Sequence, residues 1–99
     1  MDENGSHWVY FLASRKNGTI YTGMTNDLAA RGYQHRTGVH DGFTNRYNVR
    51  RLVRCEPYAT RQEAYRREQR VKRWRRAWKI ELIESDNPEW RDLWPNING

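Results

Sequence analysis

The feature that most constrains the fold of this chain is a pair of runs rich in β-branched and aromatic residues. They are His7-Trp8-Val9-Tyr10-Phe11-Leu12-Ala13 and Thr19-Ile20-Tyr21-Thr22-Gly23, separated by a turn signal at Asn17-Gly18. Such residues suit a pleated, half-buried strand, and Asn-Gly accepts the positive φ that a tight hairpin turn demands. Because side chains alternate along a strand, loop length decides whether Tyr10 and Tyr21 share a face. A two-residue loop at Asn17-Gly18 keeps them on one face but four residues out of step, about 13 Å along the strand. A four-residue loop over Ser14 to Asn17 sets them directly opposite each other, and a three-residue loop separates them. Gly23 lies on the Tyr21 face without a side chain, so its backbone is open to close approach by a ligand or another chain.

Beyond the hairpin, Thr25-Asn26-Asp27 offers N-caps for a helix from Leu28 to about His35 or Arg36, with an acidic residue in its first turn. Arg31 and His35 stand four apart and therefore project from one face, with Leu28 a turn earlier, while Gly32 weakens the helix. Residues 37–48 read as a loop rich in Gly, Thr and Asn. A third strand follows over Arg51 to Glu56 and ends at Pro57. Thr60-Arg61-Gln62-Glu63 fits a capping box. The helix it opens carries a stripe at Ala64, Glu68, Val71, Arg75, Trp78 and Leu82, spaced as an inward face requires. Glu68 thus occupies a position where an apolar residue is expected, and a carboxylate there calls for an Arg partner or a cation. Residues 61–84 exceed an ordinary globular helix, so a break is expected near Trp74 to Ala77. Asn87-Pro88 signals a last short helix, docked through Trp90, Leu93 and Trp94.

Ninety-nine residues suit one domain, expected over 7–95, with a flexible tail at 1–6 and another at 96–99. Five Trp, six Tyr and two Phe supply enough buried area for a core without metal or disulfide staples. The single Cys55 forms no internal disulfide and suits a reducing compartment. No apolar run approaches the roughly 20 residues that cross a bilayer, and the N-terminus lacks a signal-peptide pattern, so the expected location is the cytoplasm, away from membranes.

The formal net charge of +6 favours a polyanionic partner. Nine of the 18 Lys and Arg residues fall between Arg61 and Lys79, against the two acidic residues Glu63 and Glu68. Arg66, Arg70, Lys72, Arg73, Arg76 and Lys79 are the candidate phosphate contacts. Trp74 and Trp78 interrupt this run, a pattern that serves base stacking or anchors the helix to a core.

In their order along the chain, Tyr10, Tyr21, Arg31, His35 and Glu68 resemble the GIY-YIG endonuclease family, especially its small stand-alone bacterial members, which are related to the nuclease domain of the excinuclease C subunit. Trp8-Val9-Tyr10 and Tyr21-Thr22-Gly23 correspond to the two name-giving triplets, and Asn26-Asp27-Leu28 with Arg31 and His35 to the helix after them. Phe43-Thr44, Tyr47-Asn48, Leu52-Val53 with Glu56, and the stretch from Glu63-Ala64 through Glu68, Lys72 and Lys79 to Leu82-Ile83 continue the likeness. The resemblance implies an α/β (α+β) domain with a three-stranded, mainly antiparallel sheet flanked by helices. It also implies metal-dependent hydrolysis of DNA phosphodiesters, in repair or processing, with one Mg²⁺ or Mn²⁺ held by Glu68. By the same likeness Tyr10 helps to activate the attacking water, Tyr21 sits beside it, and Arg31 and His35 hold the scissile phosphate. A free phenol has a pKa near 10, so a nearby cation is what would make it an effective base near neutrality. The chain departs from the family pattern with Trp8 for Gly, Thr22 for Ile, and Lys79 where many members carry Asn. The alternative is a noncatalytic nucleic-acid-binding module of the same fold; DNA structure preference and oligomeric state are not legible.

Overall fold

A computed structural model describes residues 7–37 and 46–97. The tail at 1–6 and residues 38–45, including His40 and Phe43-Thr44, lie outside the described residues. In chain order the elements are β1 (His7–Ala13), β2 (Ile20–Thr25), α1 (Leu28–Thr37), β3 (Arg51–Tyr58), α2 (Arg61–Lys72), α3 (Arg76–Glu84) and α4 (Trp94–Ile97). The sheet order is β2-β1-β3 with both pairings antiparallel, an α+β architecture with helices on the two sheet faces.

Alternation along the central strand β1 divides the core in two. Val9, Phe11 and Ala13 meet Val53, Ala64, Val71, Ile83 and Trp90, so α2 and α3 cover that face. Tyr10 and Leu12 meet Leu28, Val49, Leu52 and Trp94, so α1 and α4 cover the other. The C-terminal segment bolts both layers, since Trp90 enters the first cluster and Trp94 the second. Each buried indole contributes about 4–6 kcal/mol as an upper bound from the area an aromatic side chain removes from water.

The hairpin adopts a register between the two anticipated ones. Tyr10 pairs with Gly23 and Tyr21 with Leu12, which keeps the phenols on one face but two residues out of step. Ser14 N donates to Thr19 O at 3.1 Å and Gly18 N to Arg15 O at 2.9 Å, so the tight turn runs over Arg15–Gly18. Asn17 supplies the positive φ, 60°, at its third position. Arg76 fastens this turn, its Nη2 donating to the carbonyls of Asn17 and Gly18 at 2.7 and 2.8 Å.

Four sequence expectations shift. Asp27 is itself the cap of α1, its Oδ1 accepting from Ala30 N at 3.0 Å, so no acidic residue lies in the first turn. Pro57 does not end β3, which continues to Tyr58. The strand is at the sheet edge, where a missing N–H breaks no ladder bond. The stripe at Ala64, Glu68 and Val71 is buried as expected, but the helix breaks over 73–75 and rephases. Arg75 and Trp78 therefore face outward and Ile83 inward. No helix opens at Asn87-Pro88. Asn87 is buried, donates to Val53 O and Arg91 O at 3.0 Å each, and accepts from Arg91 N, a local alternative to helix. It thereby holds Trp90 at a positive φ of 56°, and the helix waits for Asp92 to cap Trp94 N at 3.1 Å.

Candidate active site

Tyr10 projects from the central strand and is only 1% exposed, whereas Tyr21 on the edge strand β2 is half-buried. Their ring centroids are 6.3 Å apart with planes tilted by 44°. Gly23 makes this diagonal pairing possible. A Cβ there would stand 2.8 Å from the Tyr10 hydroxyl, 2.9 Å from its Cζ and 3.0 Å from Tyr21 Cε2, so the space left by the missing side chain belongs to the phenols of its own sheet. From α1, His35 presents its ring edge to Tyr10 at 6.2 Å and stacks on Trp94 at 6.3 Å. Four aromatic rings thus run in series from the open edge of β2 to the C-terminal helix. Gly32 serves the same assembly, since a Cβ at that position would meet the Trp94 ring at 2.8 Å. The helix gives up some intrinsic propensity to let Trp94 press against His35.

Arg31 lies one turn before His35 and lines a cleft of about 280 Å³ at the end of β2 with His7, Thr25, Asn26 and Arg61. Arg61 comes from the first turn of α2, so both helical layers open onto this cleft. In the sequence Arg61 stands out only as the first residue of the basic run. Its place at the helix start directly after the capping threonine was the available signal.

Two buried carboxylates occupy contrasting surroundings. Glu56 on β3 accepts from Arg67 Nε and Arg54 Nε at 2.9 Å each, from Arg67 Nη2 at 3.0 Å and from the Tyr58 hydroxyl at 2.9 Å. Burial alone would raise its pKa, but the hydrogen bonds from Arg67, Arg54 and Tyr58 outweigh burial and hold it below the ordinary value. The arginine partner anticipated for Glu68 therefore belongs to Glu56. Glu68, 8% exposed on α2, meets the ammonium of Lys72 at 2.8 Å, a flexible and half-exposed partner one turn along. Lys79 is held below the ordinary lysine range by partial burial and by the positive charges of Arg76 and Lys72.

The structure thus assembles Tyr10, Tyr21 and His35 by direct ring contact and puts Arg31 one helical turn before His35, in the cleft with Arg61. Glu68 belongs to the layer across the sheet, on a helix packed against β1 and β2. The basic candidates separate into three environments. Arg66, Arg70 and Arg73 line an open groove, Arg76 clamps the hairpin turn, and Lys72 pairs with Glu68 while its charge reaches Lys79. Trp8, the first departure from the name-giving triplets, packs half-buried into the Tyr10 cluster, and Thr22 is buried on the opposite face. Cys55 is half-buried, and burial pushes its thiol up, so it is poorly disposed to act as a nucleophile.

Among the described residues no three His, Cys, Asp or Glu side chains gather as metal ligands. With Glu56 saturated by Arg54, Arg67 and Tyr58, the buried carboxylate left as a donor among the described residues is Glu68. This fits Mg²⁺, which holds most of its waters and binds through one or two carboxylates, and it does not fit a zinc-type cage.

Comparison with known proteins identifies similar chains and a similar fold. A family profile described as the GIY-YIG catalytic domain matches residues 6–81. A UPF0213 protein of Staphylococcus epidermidis is 33% identical over 78 residues, spanning 79% of this chain and 94% of its own length. A UPF0213 protein of Staphylococcus aureus is 35% identical over 79 residues, spanning 80% and 95%. The solution NMR structure of a UPF0213 protein from Bacillus halodurans superposes with a TM-score of 0.55 at 31% identity, covering 88% of this chain and 92% of that one.

Proposed function

The chain belongs to the GIY-YIG family, and from that premise we propose that it is a divalent-metal-dependent endonuclease that hydrolyses DNA phosphodiester bonds. The observation that carries this reading is the phenol pair. Tyr10 and Tyr21 are held together over Gly23 and backed by His35, with Arg31 at the adjoining cleft.

Exposure divides the labour between the phenols. Tyr21, open to solvent at the sheet edge, is the group that takes the proton from the attacking water. Tyr10 is buried and acts through Tyr21 by ring contact, and the buried His35 braces Tyr10 in turn. Arg31 supplies a fork of donors for the nonbridging phosphate oxygens and stabilises their growing charge. Glu68, whose ion-pair partner Lys72 is half-exposed, is the carboxylate that would hold Mg²⁺ or Mn²⁺. The bound ion would polarise the phosphate and stabilise the leaving oxygen. Water oxygen bonds to phosphorus and the bond to the leaving sugar oxygen breaks; the Tyr21 oxygen takes the water proton as its own hydroxyl proton passes through solvent to the leaving sugar oxygen.

The test is nicking of a labelled plasmid and of labelled oligonucleotides with Mg²⁺ or Mn²⁺, against chelator controls. Cleavage should require metal. Tyr21→Phe and Arg31→Gln should each lower the rate by about 100-fold or more, the usual scale for losing proton transfer or one charge-stabilising donor. Full activity in both variants would remove the site. The Lys72–Glu68 pair favours a second reading, a noncatalytic DNA-binding module with its carboxylate already neutralised. Salt-sensitive binding without cleavage in any divalent metal would select it.

A further inference from the structure

Away from the catalytic cleft, the break between α2 and α3 creates a second surface that hydrolysis does not use. Trp78 is 49% exposed and Tyr65 51%, although large aromatic side chains ordinarily bury themselves in so small a domain. Both line a groove of about 550 Å³ together with Trp74, Arg66, Arg70 and Arg73. The helical period explains the grouping, since positions 65, 66, 69, 70 and 73 fall on the outward face of α2 opposite Ala64, Glu68 and Val71. Trp74 and Trp78 meet edge to face at 6.0 Å, and guanidiniums already lie over both indoles, Arg67 over Trp74 and Arg75 over Trp78, each at 5.2 Å. Among the described residues Arg66, Arg70 and Arg73 have no ion-pair partner.

We infer that this groove binds an unpaired stretch of nucleic acid, with bases stacked on Trp78 and Tyr65 and phosphates on Arg66, Arg70 and Arg73. Resting on the reading of the protein as a DNA-acting enzyme, it assigns that enzyme a substrate with a single-stranded segment. Exposed aromatics beside a line of guanidiniums match a single strand, which offers π-faces and phosphates together, whereas a duplex hides its bases. Charge disfavours the competing occupant, a second copy of this chain. Pairing the groove with itself would bring two arginine rims together on molecules that each carry a net charge of +6.

The full-length protein in chelator, where no cleavage occurs, is titrated into fluorescein-labelled oligothymidylate and into a blunt duplex of equal length. Anisotropy and tryptophan quenching report binding. Trp78→Ala should weaken oligothymidylate binding by about 5- to 150-fold, the loss of one stacked base, and leave the duplex nearly unaffected. Trp78→Tyr, which keeps a stacking ring, should bind within a few-fold of the parent and guards against misfolding. Replacing Arg66, Arg70 and Arg73 together by Gln should flatten the dependence of log affinity on log salt by about 2, at about 0.7 per phosphate contact. Binding is read in chelator without turnover, so failure of catalysis and failure of the groove read out separately. Unchanged binding by a folded Trp78→Ala protein overturns the proposal. So does a concentration-dependent dimer, seen by sedimentation, that this variant abolishes, because the groove would then face a second copy.

Discussion

Replacing Gly23 by Ala is a sensitive probe of the phenol pair, because two physical effects predict opposite signs. In an ordinary strand, Ala is favoured over Gly by about 0.5–1 kcal/mol through backbone entropy alone. Here the added methyl would stand 2.8 Å from the Tyr10 hydroxyl, 2.9 Å from its Cζ and 3.0 Å from Tyr21 Cε2, all inside the 3.4–4 Å of ordinary contact. Tyr10 is 1% exposed and braced by His35, so it has no solvent to retreat into. Overpacking of this kind costs about 1–3 kcal/mol, enough to outweigh the entropic gain. Net of that gain up to about 2.5 kcal/mol is lost, so at about 4–8 °C per kcal/mol for a domain of this size the melting temperature followed by far-UV circular dichroism should fall by up to about 20 °C. Moving the phenols by up to 1 Å should lower metal-dependent nicking by about 100-fold. Tyr10→Phe removes the nearest atom of the clash. The double variant Gly23→Ala/Tyr10→Phe should therefore be more stable than the two single changes predict by summation. A Gly23→Ala protein that melts at or above the parent temperature and nicks DNA at the parent rate would refute this account of the pair.

Glu56→Gln should destabilise by about 3–5 kcal/mol in urea unfolding, because it strips a buried partner from Arg54, Arg67 and Tyr58. The pH dependence has a definite sign: the folded-state pKa of Glu56 is depressed, so its contribution is complete above the ordinary value of 4.5 and is lost as pH falls through the folded-state pKa. Stability measured down that acid limb should be flatter for Glu56→Gln than for the parent. Arg76→Gln removes the donor to two turn carbonyls and should cost about 1–2 kcal/mol, measured by the same unfolding, with little change in DNA affinity. A large loss of affinity with unchanged stability would return Arg76 to the nucleic-acid contacts.

The readable part of this fold was local. Asn17 takes the positive φ its type allows, Thr60 Oγ1 accepts from Glu63 N at 3.1 Å as the capping box requires, and the break in residues 61–84 falls at 73–75. What escaped depended on contacts between distant segments. The hairpin register is selected jointly by the turn over Arg15–Gly18 and by the fit of two phenols over Gly23, which no single run encodes. Trp78 falls in the core stripe only when one helical period runs through residues 61–84, and the helix break resets that phase. The helix expected at Asn87 gave way to hydrogen bonds reaching Val53, 34 residues earlier. At the site, parity along the strands makes a shared phenol face depend on loop length, and the observed register supplies it. The distribution of guanidiniums between Glu56 and Glu68 was invisible until β3 and α2 were set side by side.

The central claim is that Glu68, and not the better-partnered Glu56, carries the metal-dependent step. Its most direct test is the single-turnover cleavage rate of the Glu68→Gln protein in Mn²⁺, alongside Mn²⁺ binding followed by electron paramagnetic resonance. The account predicts a folded protein with parent-like melting, no detectable cleavage and loss of the bound-ion signal. Cleavage at the parent rate with the ion still bound would contradict it.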